Sequence, residues 1–261
     1  MIELENRHAL VCGSTQGIGR ATAERLARQG ATVTVMARHA EALEQVCSEL
    51  ETSAGQTHHT LVADFSDWEA VRDAAYRHVE AHGPVHILVN NSGGPPGGAA
   101  FDAEPAAYVA GFTQHLLCNQ VLAQATAPGM RDAEYGRIIN IISTSVITPI
   151  KGLGVSNTIR GAVANWARTL ASELAPFGIT VNNVLPGFTA TTRLSSIITG
   201  KANRGGMAEV EVEAQMKASV PARRFGEPDE IASVIAFLAS PAAAYVNGVN
   251  LPVDGGRLAA Q

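Results

Sequence analysis

Short apolar runs alternate with stretches of helical periodicity along most of the chain. Helical spacing of apolar residues predicts helices between the runs, for example over 17–29, where Gly30 ends the pattern, and over 105–130. The runs themselves predict strands at residues 8–12, 31–37, 60–63, 85–89, 137–142, 179–184 and 249–253. Runs that are apolar throughout, such as 85–89, are typical of strands covered on both faces.

This alternation predicts an α/β protein with a Rossmann-type, doubly wound parallel sheet of about seven strands. No change in composition marks a second domain, so residues 1–261 are expected to form a single dinucleotide-binding domain. Residues 190–220 form a polar, glycine-containing stretch that interrupts the alternation. They are predicted to form a mobile flap over a substrate site.

Composition and charge narrow the function classes. The chain is 46% apolar with a formal net charge of −5, which supports a large core and disfavours nucleic-acid binding. Its three cysteines are odd in number and far apart, which favours free thiols and a cytoplasmic location. The first residues do not resemble a signal peptide, and no run of about 18 apolar residues predicts a membrane span.

Three histidines, His78, His82 and His86, follow one another at intervals of four. The first two share a helix face and could bind zinc, but no cysteine or acidic partner is arranged nearby. All three are therefore expected to face solvent, and no metal site is predicted.

A glycine-rich segment joins the first predicted strand to the first predicted helix. Gly13 can adopt backbone angles that other residues avoid, and Gly17 and Gly19 allow close approach of a ligand and of the sheet. Free N–H groups at a helix start favour a pyrophosphate. The candidate cofactor loop comprises Gly13, Ser14, Thr15, Gln16, Gly17, Ile18 and Gly19.

The end of the second predicted strand bears on cofactor type. A carboxylate there would bind the adenosine ribose hydroxyls of NAD, whereas this chain has Ala37 and Arg38. A guanidinium suits a 2′-phosphate, so NADP(H) is favoured over NAD(H). A solvated surface arginine is the alternative.

Further motifs resemble the short-chain dehydrogenase/reductase family over essentially the whole chain, and bacterial 3-oxoacyl-acyl-carrier-protein reductases in particular. They are the glycine loop, Asp64 after strand three, Asn90-Asn91-Ser92-Gly93, Pro186-Gly187 and Val253-Asp254-Gly255-Gly256. The resemblance implies that Asp64 contacts the adenine and that the glycines at 93–98 lie beside the nicotinamide. The remaining cofactor-binding residues that it implies are Phe65, Asn91, Gly93, Arg160, Pro186, Gly187 and Thr189.

The catalytic residues depart from that family's Asn, Ser, Tyr and Lys. Ser143 occupies the serine position, but Ser156 and Arg160 replace the tyrosine and lysine, and His115 stands at the asparagine position. No tyrosine in the chain has a lysine four residues later, so a shift of register does not restore the pair. Arg160 can bind ribose hydroxyls but cannot shuttle a proton near neutral pH.

The proton donor is therefore open. His115 has a suitable ordinary pKa, although a histidine packed beside a helix is the alternative. Lys151 and an ordered water are the other candidates.

The resemblance implies an NADP(H)-dependent oxidoreductase with a small carbonyl or acyl-thioester substrate, in a homotetramer or dimer. A catalytically silent subunit paired with an active homologue and a non-redox lyase or isomerase are the competing hypotheses.

Overall fold

The computed structural model describes residues 3–260. Seven strands form one parallel sheet in the order β3-β2-β1-β4-β5-β6-β7. The strands are β1 (His8–Cys12), β2 (Thr32–Ala37), β3 (His59–Val62), β4 (Ile87–Asn90), β5 (Gly136–Ile141), β6 (Ile179–Pro186) and β7 (Asn250–Val253). The order reverses between β1 and β4, which confirms the predicted doubly wound arrangement.

Helices connect the strands and cover both faces of the sheet. They are α1 (Gly17–Arg28), α2 (Ala40–Glu49), α3 (Trp68–His82), α4 (Pro105–Phe112), α5 (Cys118–Asp132), α6 (Gly154–Leu174), α7 (Thr192–Gly205), α8 (Glu209–Ala218) and α9 (Pro228–Ala239). The single helix predicted over 105–130 is divided into α4 and α5 by a π-helical turn at Thr113–Leu117. None of the described helices combines the length and apolar content that crossing a bilayer requires.

Alternate residues of β1 enter two separate hydrophobic cores. Ala9 and Val11 pack with Leu26 of α1 and Ile235 of α9 on one face. Leu10 packs on the other face, in the core that α3, α5 and α6 share. Because side chains alternate along a strand, continuous apolar runs supply both cores at once.

A row of asparagines crosses the four neighbouring strands β4, β5, β6 and β7. Asn90 Nδ2 donates to Asn140 Oδ1 at 2.8 Å, and Asn140 Nδ2 donates to Asn183 Oδ1 at 2.9 Å. Asn183 Nδ2 then donates to Asn250 Oδ1 at 2.8 Å. The two residues of each pair are also register partners in the sheet, so the four amides lie side by side across the strands.

The segment predicted as a flap contains two helices. α7 begins at a cap in which the Thr191 hydroxyl accepts from the Leu194 N–H. Leu194 and Ile198 of α7 pack against Val212 and Met216 of α8 in a small core of their own. Because the segment is polar and contains glycines, its sequence did not predict these two helices.

The expectation that His78 faces solvent is wrong. Its side chain is only 4% exposed, because it lies on the face of α3 that packs against the sheet. His78 Nε2 lies 2.9 Å from Thr34 Oγ1, and the same hydroxyl lies 2.7 Å from His8 Nε2. His82 is exposed as expected, while His86 is half-buried and its Nδ1 accepts from the His8 N–H. Within residues 3–260 no group of three or more potential ligands is arranged to hold a metal.

This histidine cluster makes stability depend on pH. Burial, and secondarily the neighbouring His82, lowers the pKa of His78 from 6.5 to about 4. The unfolded chain therefore binds more protons than the folded chain between these values, so the free energy of unfolding decreases as the pH falls through that window. His78→Gln keeps a hydrogen-bonding group but cannot titrate. We expect a shallower pH dependence of the free energy of unfolding, measured by urea denaturation from pH 6.5 to 4.

His39→Gln is the matched control, since His39 is exposed, and its profile should follow that of the wild type. A His78→Gln profile as steep as that of the wild type would contradict this account.

Candidate active site

The glycine loop lies where β1 and β4 end, at the point where the strand order reverses. Gly13 and Gly17 have φ values of +59° and +55°, in the left-handed region that favours glycine. A Cβ on Gly19 would lie 2.1 Å from the Gly13 carbonyl oxygen and 2.8 Å from Asn91 Nδ2. That amide donates to the carbonyl oxygens of Cys12 and Gly13 at 3.3 and 3.2 Å. Loop, helix and β4 therefore meet with no space for a side chain.

Some side chains of the glycine loop are buried and hold it in place, and others are exposed to solvent. Ser14 is fully buried, and its Oγ accepts from the Met36 N–H of β2 at 2.9 Å. Ile18 packs against the core, Thr15 is half-buried and Gln16 is exposed. The first turn of α1 contains no acidic residue, so the positive end of the helix is available to an anion.

The ends of β2 and β3 present charged groups to solvent. Arg38 is exposed, and its Nε lies 3.2 Å from His39 Nε2. The exposed Asp64 accepts from the Ser66 N–H at 2.9 Å; this bond, more than the nearby Arg38, lowers the pKa of the Asp64 carboxyl. The Phe65 side chain is packed in the core, so only its backbone can face a cofactor. His39 is a further candidate at this site, and its position beside Arg38 in the sequence was the signal for a basic pair.

Two further segments border the same edge of the sheet. Gly187 follows β6, and its N–H donates to the Val253 carbonyl oxygen at 2.9 Å. Thr189 is buried, and its hydroxyl donates to the Gly187 carbonyl oxygen at 3.3 Å. Pro186 is half-buried at the end of β6, so it borders this turn.

The glycine-rich segment 93–98 follows β4, and the cleft separates it from the glycine loop. Gly98 exchanges backbone hydrogen bonds with the start of α6, donating to Gly152 at 2.8 Å and accepting from Gly154 at 3.0 Å. A Cβ on Gly93 would have no neighbour within 4 Å. The segment is thus anchored at one end and leaves open space at the other.

Ser143 and Arg160 approach the same end of β5. Ser143 is half-buried, and its Oγ accepts from the Ser145 N–H at 3.1 Å. Arg160 is 8% exposed, and its Nη1 donates to the Ile141 carbonyl oxygen at 3.0 Å. Ser156 is buried one turn before Arg160 on α6. Burial, and secondarily Arg193, lowers the pKa of Arg160 to about 10, so the guanidinium is charged at neutral pH.

His115 lies in the π-helical turn and is 2% exposed. Its Nδ1 is 2.8 Å from Ser92 Oγ, and its Nε2 is buried with no hydrogen-bond partner among the described residues. Burial and then the charge of Arg160 lower its pKa to about 2, against a smaller opposing effect of the Gly93 backbone. The imidazole is therefore neutral at physiological pH. It can form hydrogen bonds, but it lacks the near-neutral pKa that suggested an acid role.

Arg193 is a site residue that the sequence analysis missed. It lies in the first turn of α7, and its Nη2 donates to the Pro95 carbonyl oxygen at 2.9 Å. The preceding Thr192 hydroxyl donates to Gln16 Oε1 at 3.1 Å. Together these contacts place the start of α7 across the cleft between the glycine loop and segment 93–98. A cation in the threonine-rich stretch after Pro186-Gly187 was the available signal.

Comparisons with known proteins agree with this geometry. A family model described as enoyl-(acyl carrier protein) reductase matches residues 13–257. The NADPH-dependent reductase BacG of Bacillus subtilis is 30% identical over 260 residues, which cover 98% of this chain and 99% of BacG. The 3-oxoacyl-[acyl-carrier-protein] reductase FabG of Aquifex aeolicus is 30% identical over 255 residues, 98% of each chain.

Solved structures show the same likeness. The crystal structure of L-sorbose reductase from Gluconobacter frateurii, complexed with NADPH and L-sorbose, superposes with a TM-score of 0.91 at 27% identity, and the match covers 98% of both chains. Similarity of this extent in sequence and fold, together with the glycine loop at the strand reversal, shows that the chain belongs to the short-chain dehydrogenase/reductase family.

Proposed function

We propose that the chain is an NADP(H)-dependent oxidoreductase that acts on a small carbonyl or alcohol substrate with an atypical proton donor. The observation that carries this proposal is the close packing of the glycine loop before α1. The first turn of α1 contains no acidic residue, so its N–H groups are available to an anion. The names of its relatives support it, since BacG is an NADPH-dependent reductase and L-sorbose reductase was crystallised with NADPH.

The described residues fit a dinucleotide at this edge of the sheet. Loop N–H groups and the start of α1 suit a pyrophosphate. Arg38 offers positive charge for a 2′-phosphate, His39 beside it offers a ring nitrogen for hydrogen bonding, and Asp64 lies nearby for the adenine. Asn91 holds the loop, while Gly93 and Thr189 border the space left for a nicotinamide.

When bound, the nicotinamide supplies or accepts a hydride, and the chain must manage the charge on the substrate oxygen. We assign Ser143 to donate a hydrogen bond to that oxygen and Arg160 to hold the ribose hydroxyls while its positive charge stabilises the developing oxyanion. Ser156 has no acidic proton of a suitable pKa, and His115 is neutral. The proton then comes from water in the cleft, with the exposed Lys151 as the alternative donor.

The wider arrangement is also a proposal. We propose that residues 190–220 act as a flap, because α7 contacts both the glycine loop and segment 93–98.

We propose that the chain forms a homotetramer or dimer, for which the edge strand β7 and the outer face of α6 offer contact surfaces. We also propose that it works in the cytoplasm, since its three cysteines are unpaired.

A catalytically silent subunit is the second candidate. It is favoured by the replacement of the tyrosine and lysine with Ser156 and Arg160, and it predicts nucleotide binding without turnover. A lyase or isomerase would likewise bind nucleotide without redox turnover.

The first test concerns the glycine loop. In Gly19→Ala the new Cβ would collide with the Gly13 carbonyl oxygen, so the loop must move away from the geometry that holds pyrophosphate. We expect NADPH affinity, measured by fluorescence titration, to fall at least about tenfold. Gly161→Ala, where a Cβ meets nothing within 4 Å, is the control and should bind as the wild type does. A folded Gly19→Ala variant with unchanged affinity would refute the assignment.

The second test concerns cofactor choice. Ala37→Asp with Arg38→Leu removes the cation for the 2′-phosphate and adds an acceptor for the ribose diol. The ratio of NADPH to NADH affinity should fall at least about tenfold. Tighter binding of NADH than of NADPH by the wild type would show that the interpretation of Arg38 is wrong.

The third test separates enzyme from silent subunit. The wild type should reduce members of a carbonyl panel with NADPH, and Ser143→Ala should lower kcat about 10- to 1000-fold by removing an oxyanion donor. Ser48→Ala, at an exposed position of α2, is the control. The double variant Ser156→Tyr, Arg160→Lys should gain little. An inactive wild type whose double variant becomes active would establish the silent subunit instead.

A further inference from the structure

Two guanidinium groups from different elements converge on one point of the cleft. Arg160 reaches it from α6 and Arg193 reaches it from α7. A Cβ on Gly94 would lie 3.7 Å from Arg160 Nη2 and 3.6 Å from Arg193 Nη2. Because Gly94 has no side chain, both Nη2 groups border the same small space.

Few of the available donors at this point are used. A guanidinium carries five N–H groups. Within the structure, the hydrogen bonds found are Arg160 Nη1 to the Ile141 carbonyl oxygen and Arg193 Nη2 to the Pro95 carbonyl oxygen. Neither arginine forms a salt bridge with any acidic side chain of residues 3–260.

Unneutralised like charges are costly where solvent is limited. Arg160 is more than nine-tenths buried, whereas Arg193 is exposed at the mouth of the same space and its charge opposes that of Arg160. Buried charges in proteins are normally paired, so the buried guanidinium of Arg160, with a second cation beside it and no carboxylate, would be stabilised by an anion.

The contacts of α7 separate Arg193 from the loop that we assign to the cofactor phosphates. Thr191 lies against Gly17, and Thr192 bonds to Gln16, so these two residues face the pyrophosphate loop. Arg193 turns the other way, toward Pro95 and Gly94. The ribose that we assign to Arg160 is uncharged and neutralises neither cation.

We propose that Arg193, with Arg160 beside it, binds a carboxylate on the substrate, so that the preferred substrates are oxo acids or hydroxy acids rather than neutral ketones. A planar carboxylate can accept paired N–H bonds from a guanidinium. This inference rests on the proposed function, because it places the carboxylate next to the carbonyl that the cofactor reduces.

The test uses three oxo acids, 2-oxobutyrate, acetoacetate and levulinate, each beside its methyl ester. Their carbonyl and carboxylate are separated by zero, one or two carbons, so the best acid also measures the distance between the two groups. With NADPH, the wild type should prefer at least one acid over its ester by about tenfold or more in kcat/KM.

Arg193→Gln should reduce the acid-to-ester ratio of kcat/KM to about unity through the KM of the acid, and any change caused by the lost Pro95 contact should be shared by acid and ester. Arg193→Lys should retain part of the acid preference, since the charge remains. Arg204→Gln is the matched control, because it removes an exposed arginine from the last turn of the same helix.

Three outcomes would overturn the proposal: acids and esters used equally by the wild type, an acid preference that survives Arg193→Gln, or a loss of NADPH affinity in Arg193→Gln that accounts for the whole effect. If no probe is reduced, the proposed function fails, and the same acids and esters are titrated calorimetrically into the protein with NADP⁺. An Arg193-dependent preference for acids would then support the carboxylate site alone, and its absence would overturn that site as well.

Discussion

The contact between Gly19 and the Gly13 carbonyl oxygen determines how the nucleotide edge of this molecule is assembled. A methyl group at residue 19 would occupy the position of that oxygen, so α1 can start only where a side chain is absent. Asn91 then closes the arrangement from β4 by donating to the loop. The start of one helix, the end of β1 and the end of β4 are thereby held in one rigid unit. The cleft, the two arginines and α7 are all positioned relative to it.

We propose that Arg160 stands at the lysine position of the family, and this would change the electrostatics of the site. A lysine can release its proton, and it tunes a neighbouring tyrosine through its charge. A buried guanidinium stays charged, and Ser156 one turn before it has no ring to be tuned. On that proposal the site has a permanent positive charge in place of a proton-transfer pair, and neutral His115 adds a hydrogen-bonding group without adding another cation. Such a site suits the stabilisation of negative charge better than the delivery of a proton.

The sequence predicted the sheet well, because fully apolar strands and glycine-ended helices are local signals. It predicted Gly13 and Gly19 in the glycine loop and Asn91 in a separate motif after β4, and only the structure shows that Asn91 bonds to the loop. His78 was misjudged since helical spacing does not tell which face packs on the sheet. Arg193 was missed because its role depends on a contact with Pro95, 98 residues away in the chain. The helices α7 and α8 were hidden by a polar composition whose apolar residues form only a small core.

The asparagine row also has a consequence for how the sheet forms. Its successive partners are 50, 43 and 67 residues apart, so none of its bonds can form within a local segment of chain. Each amide is buried or half-buried, and an unpaired one would carry the cost of lost hydration. A half-built sheet, in which β4 and β5 are paired but β6 is absent, therefore leaves Asn140 with an unused donor. This penalty on incomplete intermediates couples the four strands, so that the second half of the sheet gains its full stability only when all four are in register.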